Sequence, residues 1–255
     1  MNRIIKFIVL DILKNKIVLF YTVLLGALSW GVFNLEDNST KGILTLLNVI
    51  LLTVPLVSVI FSTIYLYNSA EFVELLLSQP VKRSKIWRSL FFGLSSSLAF
   101  AFIVGAGISL VIYAPFDIAL MMILVVVFIS TVFVSIACLC SILTRDKAKG
   151  IGMSVLVWLF FALLFDGLVL FLVFQFADYP IEEVMVGITS FNPLDLGRIM
   201  ILLHLDVSAM MGYTGAIFKE FFGSVTGVIL AFVLLSLWVF LPFSVSLLKF
   251  RKKDL

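Results

Sequence analysis

Apolar residues are grouped into six long blocks along the chain, and short segments rich in charged and turn-forming residues separate them. The blocks cover residues 17–33, 43–67, 90–114, 118–143, 151–176 and 225–248. Each block is close to or longer than the roughly 20 residues that a helix needs to cross the hydrocarbon core of a bilayer. The pattern therefore predicts an all-α membrane protein with six transmembrane helices in a single domain, residues 1–255.

The first 16 residues have a different pattern. Arg3, Lys6, Asp11 and Lys14 lie close to one stripe of a helical projection, and isoleucine, valine, leucine and phenylalanine cover the rest. A helix with two such faces lies in the interface between lipid and water. We expect residues 1–16 to form an amphipathic interfacial helix before the first span.

Residues 177–224 form a long segment of mixed polarity between the fifth and sixth blocks. Part of it, residues 199–218, is apolar enough to be read as a seventh span. A seventh span would bury His204 and Asp206 in the membrane and would move the basic C-terminal tail to the other side, and both changes are unfavourable. We therefore expect residues 177–224 to form a helical outer region that rests on the outer leaflet or dips into it.

Lysine and arginine are distributed unequally between the two sides of the predicted bundle. Of the 18 basic residues, four lie in residues 1–16, four in the loop 68–89, three after the fourth span and four after the sixth, so that 15 share one side. Only Lys41, Arg198 and Lys219 fall on the other side. Because basic loops stay on the cytoplasmic side of a membrane, both termini are predicted to be cytoplasmic.

The composition excludes a soluble enzyme. Hydrophobic residues make up 62% of the 255 positions and charged residues 13%, against about 25% charged residues in soluble domains. The sequence contains no G-x-x-x-x-G-K-S/T phosphate-binding loop, and no spacing typical of nucleophilic or metal-dependent catalysis. Cys138 and Cys140, which point about 200° apart on a helix, are expected to be buried apolar side chains. We expect a non-catalytic chain without a cofactor or metal of its own and, since its basic residues form no stripe, without a nucleic-acid partner.

The inner loop, residues 68–89, carries the clearest functional pattern. Glu71, Glu74 and Ser78 fall at positions i, i+3 and i+7 and therefore share one helical face. Pro80 ends this short helix, and a basic cluster then opens the third span. Two interpretations stay open: the acids are merely solvated on a membrane-surface helix, or they present carboxylates to a cytosolic partner.

The run E-F-V-E-L-L-L-S-Q-P-V-K-R at residues 71–83 resembles the signature that follows the second span in ABC-2-type transporter permeases. The resemblance implies six spans, an amphipathic N-terminal helix, cytoplasmic termini and outer helices between the fifth and sixth spans. It also implies a homodimer of permeases in a bacterial inner membrane, energised by two cytosolic ATPase subunits that bind the ATP. The residues that it implies for coupling to the ATPase are Glu71, Glu74, Ser78, Pro80 and Arg83.

A second run, F-N-P-L-D-L-G-R at residues 191–198, is similar to the outer region of Nos-type permeases. That resemblance implies support of copper-sulfur site assembly in nitrous oxide reductase, by movement of a sulfur-containing or related solute. It implies a periplasmic partner protein, contacted by Asn192, Asp195 and Arg198. From the residues alone, Asn192 caps a helix while Asp195 and Arg198 pair at i, i+3, and both interpretations can hold together.

Asp166 is the only ionisable residue deep within a predicted span. A charge at that depth costs roughly 2.5–3.5 kcal/mol on insertion scales. Since no lysine or arginine occupies the core of another predicted span, we expect no cation of the same chain to pair with it in the bilayer. Asp166 then faces a wet cavity or a subunit interface, or it carries a proton. It is either part of the transport path or interface, or a hydrogen-bonded structural carboxyl.

Small residues recur every fourth position in the third span, at Ser97, Ala101, Gly105 and Ser109. Such stripes allow helix backbones to approach closely in lipid, either within one subunit or between subunits.

Two other functions are alternatives to an ATP-driven permease. A stand-alone secondary carrier would need several intramembrane ionisable groups and inverted repeats, and a membrane scaffold would not transport at all.

Overall fold

The computed structural model describes residues 2–36, 38–176, 182–205 and 225–252, and all the regular structure in these ranges is helical. The helices are α1 Asn2–Leu13, α2 Lys16–Leu35, α3 Ser39–Asn68, α4 Ala70–Leu77, α5 Arg83–Phe102, α6 Ile108–Tyr113, α7 Phe116–Leu143, α8 Lys147–Leu159, α9 Phe165–Gln175, α10 Glu182–Thr189, α11 Pro193–His204 and α12 Val225–Lys252. Two π-helical turns, Ile103–Gly107 and Phe160–Leu164, join α5 to α6 and α8 to α9.

Six of these helical stretches are long and apolar enough to cross a membrane. They are Lys16–Leu35, Ser39–Asn68, Arg83–Tyr113, Phe116–Leu143, Lys147–Leu172 and Thr226–Lys252. The predicted all-α membrane fold with six spans is thereby confirmed. The helices begin before the apolar blocks because capping side chains set their first turns: Asn15 accepts the Ile17 N–H, and Asn38 accepts the Thr40 N–H.

The two ends of the bundle differ in their charged residues. One end, which we call the basic end, holds α1, α4, the α7–α8 turn and the last turn of α12. Tyr67 Oη donates to the Thr144 carbonyl at 3.1 Å, and Trp87 Nε1 donates to Ser246 Oγ at 3.0 Å. At this end, the first bond joins the second span to the fourth, and the second bond joins the third span to the sixth. The other end, which we call the opposite end, holds the α2–α3 and α6–α7 turns.

Helix α7 is the centre of the bundle. It packs against α3, α12, α11 and α5, and two polar links fix its position. Ser58 and Ser130 share a hydrogen bond of 2.9 Å between α3 and α7, and Ser135 Oγ donates to the Val239 carbonyl of α12 at 2.7 Å. Hydrogen bonds between helices contribute about 0.6 kcal/mol each in membrane proteins, so packing supplies most of the cohesion.

The N-terminal helix is attached to the bundle by its apolar face. Ile8 and Ile12 are fully buried, and Ile8 sits on Gly93 of α5 so closely that a Cβ there would lie 2.5 Å from the Ile8 Cγ2 atom. Tyr65 Oη donates to the Asp11 carboxylate at 3.0 Å. Helix α1 is therefore held against α3 and α5 rather than resting loosely beside them.

The small residues of the third span face other helices of the same chain. Ser97, Ala101, Gly105 and Ser109 are all buried. A Cβ at Gly105 would lie 2.7 Å from the Thr22 carbonyl oxygen of α2. The interpretation of this stripe as a contact within one subunit is confirmed.

Helices α10 and α11 dip deeply into the bundle. His204 Nε2 lies 3.6 Å from an Asp117 carboxylate oxygen at the opposite end, whereas Gly197 packs against Ile129 in the middle of α7. At a rise of 1.5 Å per residue, Asn192 lies about 18 Å below His204, near the centre of the bundle. The described part of the expected outer region is a re-entrant pair. Residues 177–181 and 206–224, including most of the possible seventh span, lie outside the described residues.

Candidate functional site

Helix α4 presents a mixed acidic and apolar face at the basic end. Glu71, Glu74, Leu75 and Ser78 are all exposed, and they fall within about 100° of one another on the helix. Leu75 is 66% exposed. The sequence predicted the shared face of the two glutamates and Ser78, which the structure shows. It did not predict the exposure of Leu75, which lies about 40° from Glu71 on the side away from Glu74.

The remaining face of α4 fixes the helix to the bundle. Val73 is buried, and the Phe72 ring stacks on Phe7 of α1 with centroids 5.4 Å apart. The Ser69 N–H donates to the Tyr65 carbonyl, so α4 follows α3 without a flexible linker. Ser78 Oγ donates to the Leu75 carbonyl at 2.8 Å at the end of the helix. A displacement of α4 would therefore move the second span and α1 with it.

After α4, the chain turns directly into the third span. Pro80 is exposed, while Arg83 is half-buried as the first residue of α5. A cavity of about 270 Å³ opens beside α4, with Glu74 and Arg145 among its lining residues and Trp87 and Phe250 as its aromatic wall. The surface beside the glutamates is thus concave, and it carries charges of both signs.

A second group of polar side chains lies at the tip of the re-entrant pair. Arg198 Nη1 lies 3.4 Å from an Asp166 carboxylate oxygen and 3.6 Å from an Asp195 carboxylate oxygen. Asn192 Nδ2 donates to the other Asp195 oxygen at 2.8 Å. These four residues, which we call the polar cluster, join α11 to the fifth span. One guanidinium is shared by two carboxylates.

The π turn of the fifth span creates a bonding site for Asn192. In this turn the Phe165 N–H donates to the Phe160 carbonyl, five residues back, instead of the Phe161 carbonyl. Asn192 Nδ2 donates to the Phe161 carbonyl at 2.9 Å, and Asn192 Oδ1 accepts the Leu194 N–H at 3.0 Å. Asn192 therefore caps α11 and satisfies the carbonyl that the π turn leaves free.

The structure corrects the expectation that no cation of the chain pairs with Asp166. That expectation considered only the lysines and arginines in the cores of the predicted spans, whereas α11, outside those spans, dips into the bundle and brings Arg198 to the fifth span. The predicted helix cap by Asn192 and the predicted pair of Asp195 with Arg198 are both confirmed. A contact of these residues with a periplasmic partner stays a prediction. It would have to involve Arg198, since Asn192 and Asp195 are buried.

A small cavity of about 130 Å³ adjoins the polar cluster, and Asn48 of α3, Asp195 and Arg198 are among its lining residues. Asn48 is exposed, and among the described residues its side chain has no hydrogen-bond partner. The Arg198 Nε atom is buried and likewise has no partner in this part of the chain. The cluster thus keeps unused hydrogen-bonding groups toward the face formed by α3 and the fifth span. Within the described ranges, no group of three or more histidine, cysteine or acidic side chains could hold a metal ion.

Comparison with known proteins places this architecture in a family. A family model described as ABC-2 family transporter protein matches residues 68–255, which include α4, the polar cluster and the third to sixth spans. No curated protein matches the chain significantly. Since the match covers more than half of the sequence, the chain belongs to the ABC-2 family of transporter proteins and is a multi-pass membrane component of a transporter.

Proposed function

We propose that the chain is the permease subunit of an ATP-driven transporter in a bacterial inner membrane, with its basic end in the cytoplasm. In this proposal two copies pair with two cytosolic ATPase subunits, which bind the ATP, and the chain itself is non-catalytic. The observation that carries the proposal is the face of α4. It offers two carboxylates that have no ion-pair partner in the described part of the chain, and an exposed leucine, on a helix that packs against α1, α3 and α5.

A contact of the ATPase with α4 would allow the motion that accompanies ATP hydrolysis to be transmitted to the transmembrane helices. Movement of an ATPase against Glu71, Glu74 and Leu75 would displace α4, and the Phe72–Phe7 stack and the continuous α3–α4 junction would carry that displacement into the bundle. Ser78, Pro80 and Arg83 would set the angle between α4 and the third span. The 15 basic residues at one side support a cytoplasmic basic end.

The double variant Glu71→Ala/Glu74→Ala is expected to weaken binding of the proposed cytosolic ATPase subunit about tenfold, or ~1.4 kcal/mol. Exposed charge contacts contribute up to about 1 kcal/mol each, and alanine preserves the helix. The measurement is the dissociation constant of the purified subunits, together with stimulation of ATP hydrolysis.

The matched control is Asp117→Ala, which removes an exposed carboxylate at the opposite end. It should leave the dissociation constant within twofold of the wild-type value. Equal binding by the double variant and the wild type would contradict the role of α4. Binding of a cytosolic ATPase to α4 would also fix the basic end in the cytoplasm, because α1, α4 and the last turn of α12 lie at that end.

The proposed homodimer rests on the exposed polar groups of the fifth span. Most of this span is exposed at the surface of the chain, and the Asp166 and Arg198 side chains are 39% and 36% exposed at membrane depth. Charged groups are costly in contact with lipid and almost always face a protein or water-filled surface. A second copy, packed along α3 and the fifth span, would cover them and would place the polar cluster beside the path of the solute.

Disulfide crosslinking tests this dimer. In a background without Cys138 and Cys140, Gly167→Cys should form a crosslinked dimer in membranes under mild oxidation, since Gly167 is exposed next to Asp166 and no other side chain crowds it. Val233→Cys, on the exposed face of α12, is the control and should stay monomeric. The reverse pattern would move the interface to α12.

The narrower proposal is a Nos-type permease that moves a sulfur-containing or related solute for copper-sulfur site assembly in nitrous oxide reductase. Its support is the run 191–198, whose Asn192, Asp195 and Arg198 act as one bonded unit at the re-entrant tip. A neighbouring gene for nitrous oxide reductase would support this assignment. A different neighbourhood would favour an exporter of another substrate, with no periplasmic partner at residues 177–224.

A stand-alone secondary carrier is the second candidate, because the structure places three ionisable side chains at membrane depth where the sequence indicated one. Asp166 and Asp195 each lie within 4 Å of Arg198, and ionisable groups that pair within a membrane often mark ion pathways. Solute uptake by the purified chain alone in liposomes, driven by an ion gradient without ATP, would favour the carrier over the permease.

A further inference from the structure

A long groove runs along the surface of the basic-end half of the bundle, between α5, α7 and α12. It has a volume of about 640 Å³. Arg88 and Leu247 line its mouth at the basic end, and Ala99 and Val127 line its deep end. The stacking of Phe91 on Phe243, with centroids 4.2 Å apart, forms part of its floor.

The groove is as long as one leaflet of a bilayer is thick. Its lining positions on α5 extend from Arg88 to Ala99, which is about 16 Å at 1.5 Å per residue. Half of a hydrocarbon core of about 30 Å is about 15 Å. The groove therefore begins where lipid headgroups begin on the basic side and ends near the bilayer centre.

The chemistry of the groove changes along its length. Its inner part is mostly apolar, since the hydroxyls of Ser96 and Thr131 donate to carbonyls of their own helices. The Ser95 hydroxyl, which is buried in the lining, has no hydrogen-bond partner within the described ranges. At the mouth, Arg88 is exposed and has no ion-pair partner within the described ranges. Ser244 is exposed as well, and no hydrogen bond occupies its hydroxyl in this part of the chain. Because Trp87 bonds Ser246, the Cα atoms of Ser244 and Arg88 lie at nearly the same depth, about 1.5 Å apart along the bundle. A helical side chain tilts toward the N-terminus of its helix, which for α5 is at the basic end, so the Arg88 guanidinium lies above the Ser244 hydroxyl.

We propose that this groove binds one anionic glycerophospholipid from the leaflet at the basic end. The lipid phosphate pairs with the Arg88 guanidinium, an ester carbonyl accepts from the Ser244 hydroxyl, and one acyl chain fills the apolar part of the groove. A cation above an apolar slot of leaflet depth matches a phospholipid in both charge and length. Lys249, exposed at the same end, favours an anionic headgroup over a zwitterionic one.

Native mass spectrometry of the full chain, released into detergent from nanodiscs of equal phosphatidylglycerol and phosphatidylcholine, tests the proposal. The wild type should retain one phosphatidylglycerol per chain in preference to phosphatidylcholine. Arg88→Gln should lower this retention about tenfold, whereas Lys85→Gln, an exposed cation on the same helix outside the groove, should change it less than twofold. Ser96→Phe, which fills the groove, should lower retention of both lipids, and Val233→Phe on the exposed face of α12 should not.

Three results would overturn the proposal. One is equal retention of the two lipids by the wild type, which would indicate only a general lipid annulus. Another is unchanged retention in Arg88→Gln, a surface variant whose folding does not depend on the groove. The third is efficient crosslinking of two chains through Ser96→Cys in the background without native cysteines, which would make the groove a contact between copies.

Discussion

Replacing Arg198 by leucine is expected to lower the free energy of unfolding by about 3 kcal/mol. The pair with Asp166 is part-exposed on the chain, but it lies at membrane depth, where water does not solvate the charge that is left behind. The guanidinium is the common partner of Asp166 and Asp195, at 3.4 and 3.6 Å. Its removal leaves two carboxylates facing each other at membrane depth. Leucine itself is well suited to that depth, so the loss would come from the unpaired acids.

The two native cysteines provide the measurement. Cys138 and Cys140 are buried in α7, and they become reactive toward a fluorogenic thiol reagent when the bundle unfolds. The midpoint of thermal unfolding should fall by roughly 6–12 °C for a chain of this size. Lys41→Leu is the control: it removes an exposed cation at the opposite end and should change stability by less than about 0.5 kcal/mol.

The double variant Arg198→Leu/Asp166→Leu separates an ion-pair effect from a simple loss of packing. Removing both partners leaves one unpaired carboxylate fewer, and apolar replacement of a buried pair is often neutral. The double variant should therefore be more stable than Arg198→Leu alone. A double variant that is no more stable would show that the Arg198 side chain acts through packing, and the polar cluster would lose its proposed importance.

The fold was largely predictable because the bilayer imposes simple rules on the sequence. Six apolar blocks of sufficient length require six helices. The concentration of basic residues in alternate connecting segments predicts which helix ends lie on the same side of the membrane. The face of α4 was predictable for the same reason, since the spacing of Glu71, Glu74 and Ser78 is a local property of one helix. Leu75 was missed because its exposure depends on where α1 and α5 cover α4.

The polar cluster was predictable only in parts. The cap by Asn192 and the pair of Asp195 with Arg198 are contacts within a few residues, which spacing reveals. The contact of Arg198 with Asp166 joins residues 32 positions apart, and it depends on the depth of α11. No local pattern gives that depth, because a twelve-residue helix of mixed polarity is equally compatible with a surface and a re-entrant position. The π turn at Phe160–Leu164 has no sequence signal that we could identify, yet its free carbonyl is what Asn192 binds.

Gly105→Leu is expected to destabilise the bundle by about 3 kcal/mol, the upper end of the usual cost of overpacking. A Cβ at this position would lie 2.7 Å from the Thr22 carbonyl oxygen and 3.0 Å from the Leu25 Cβ atom. The first of these is backbone, which cannot rotate away as a side chain could. The first and third spans would have to separate along their contact, and the thiol-reagent unfolding midpoint should fall as far as in Arg198→Leu.

Gly31→Leu is the matched control, since it places the same side chain on a glycine of the first span. No atom lies within 4 Å of a Cβ at Gly31, so its unfolding midpoint should stay close to the wild-type value. Gly105→Ala should fall between the two, because a single methyl group demands less separation than leucine. If Gly105→Leu were as stable as Gly31→Leu, α2 would not pack on the third span at this point. In that case the contact between Gly105 and α2 would not hold the first span in the bundle, and other contacts along α2 would be responsible for its position.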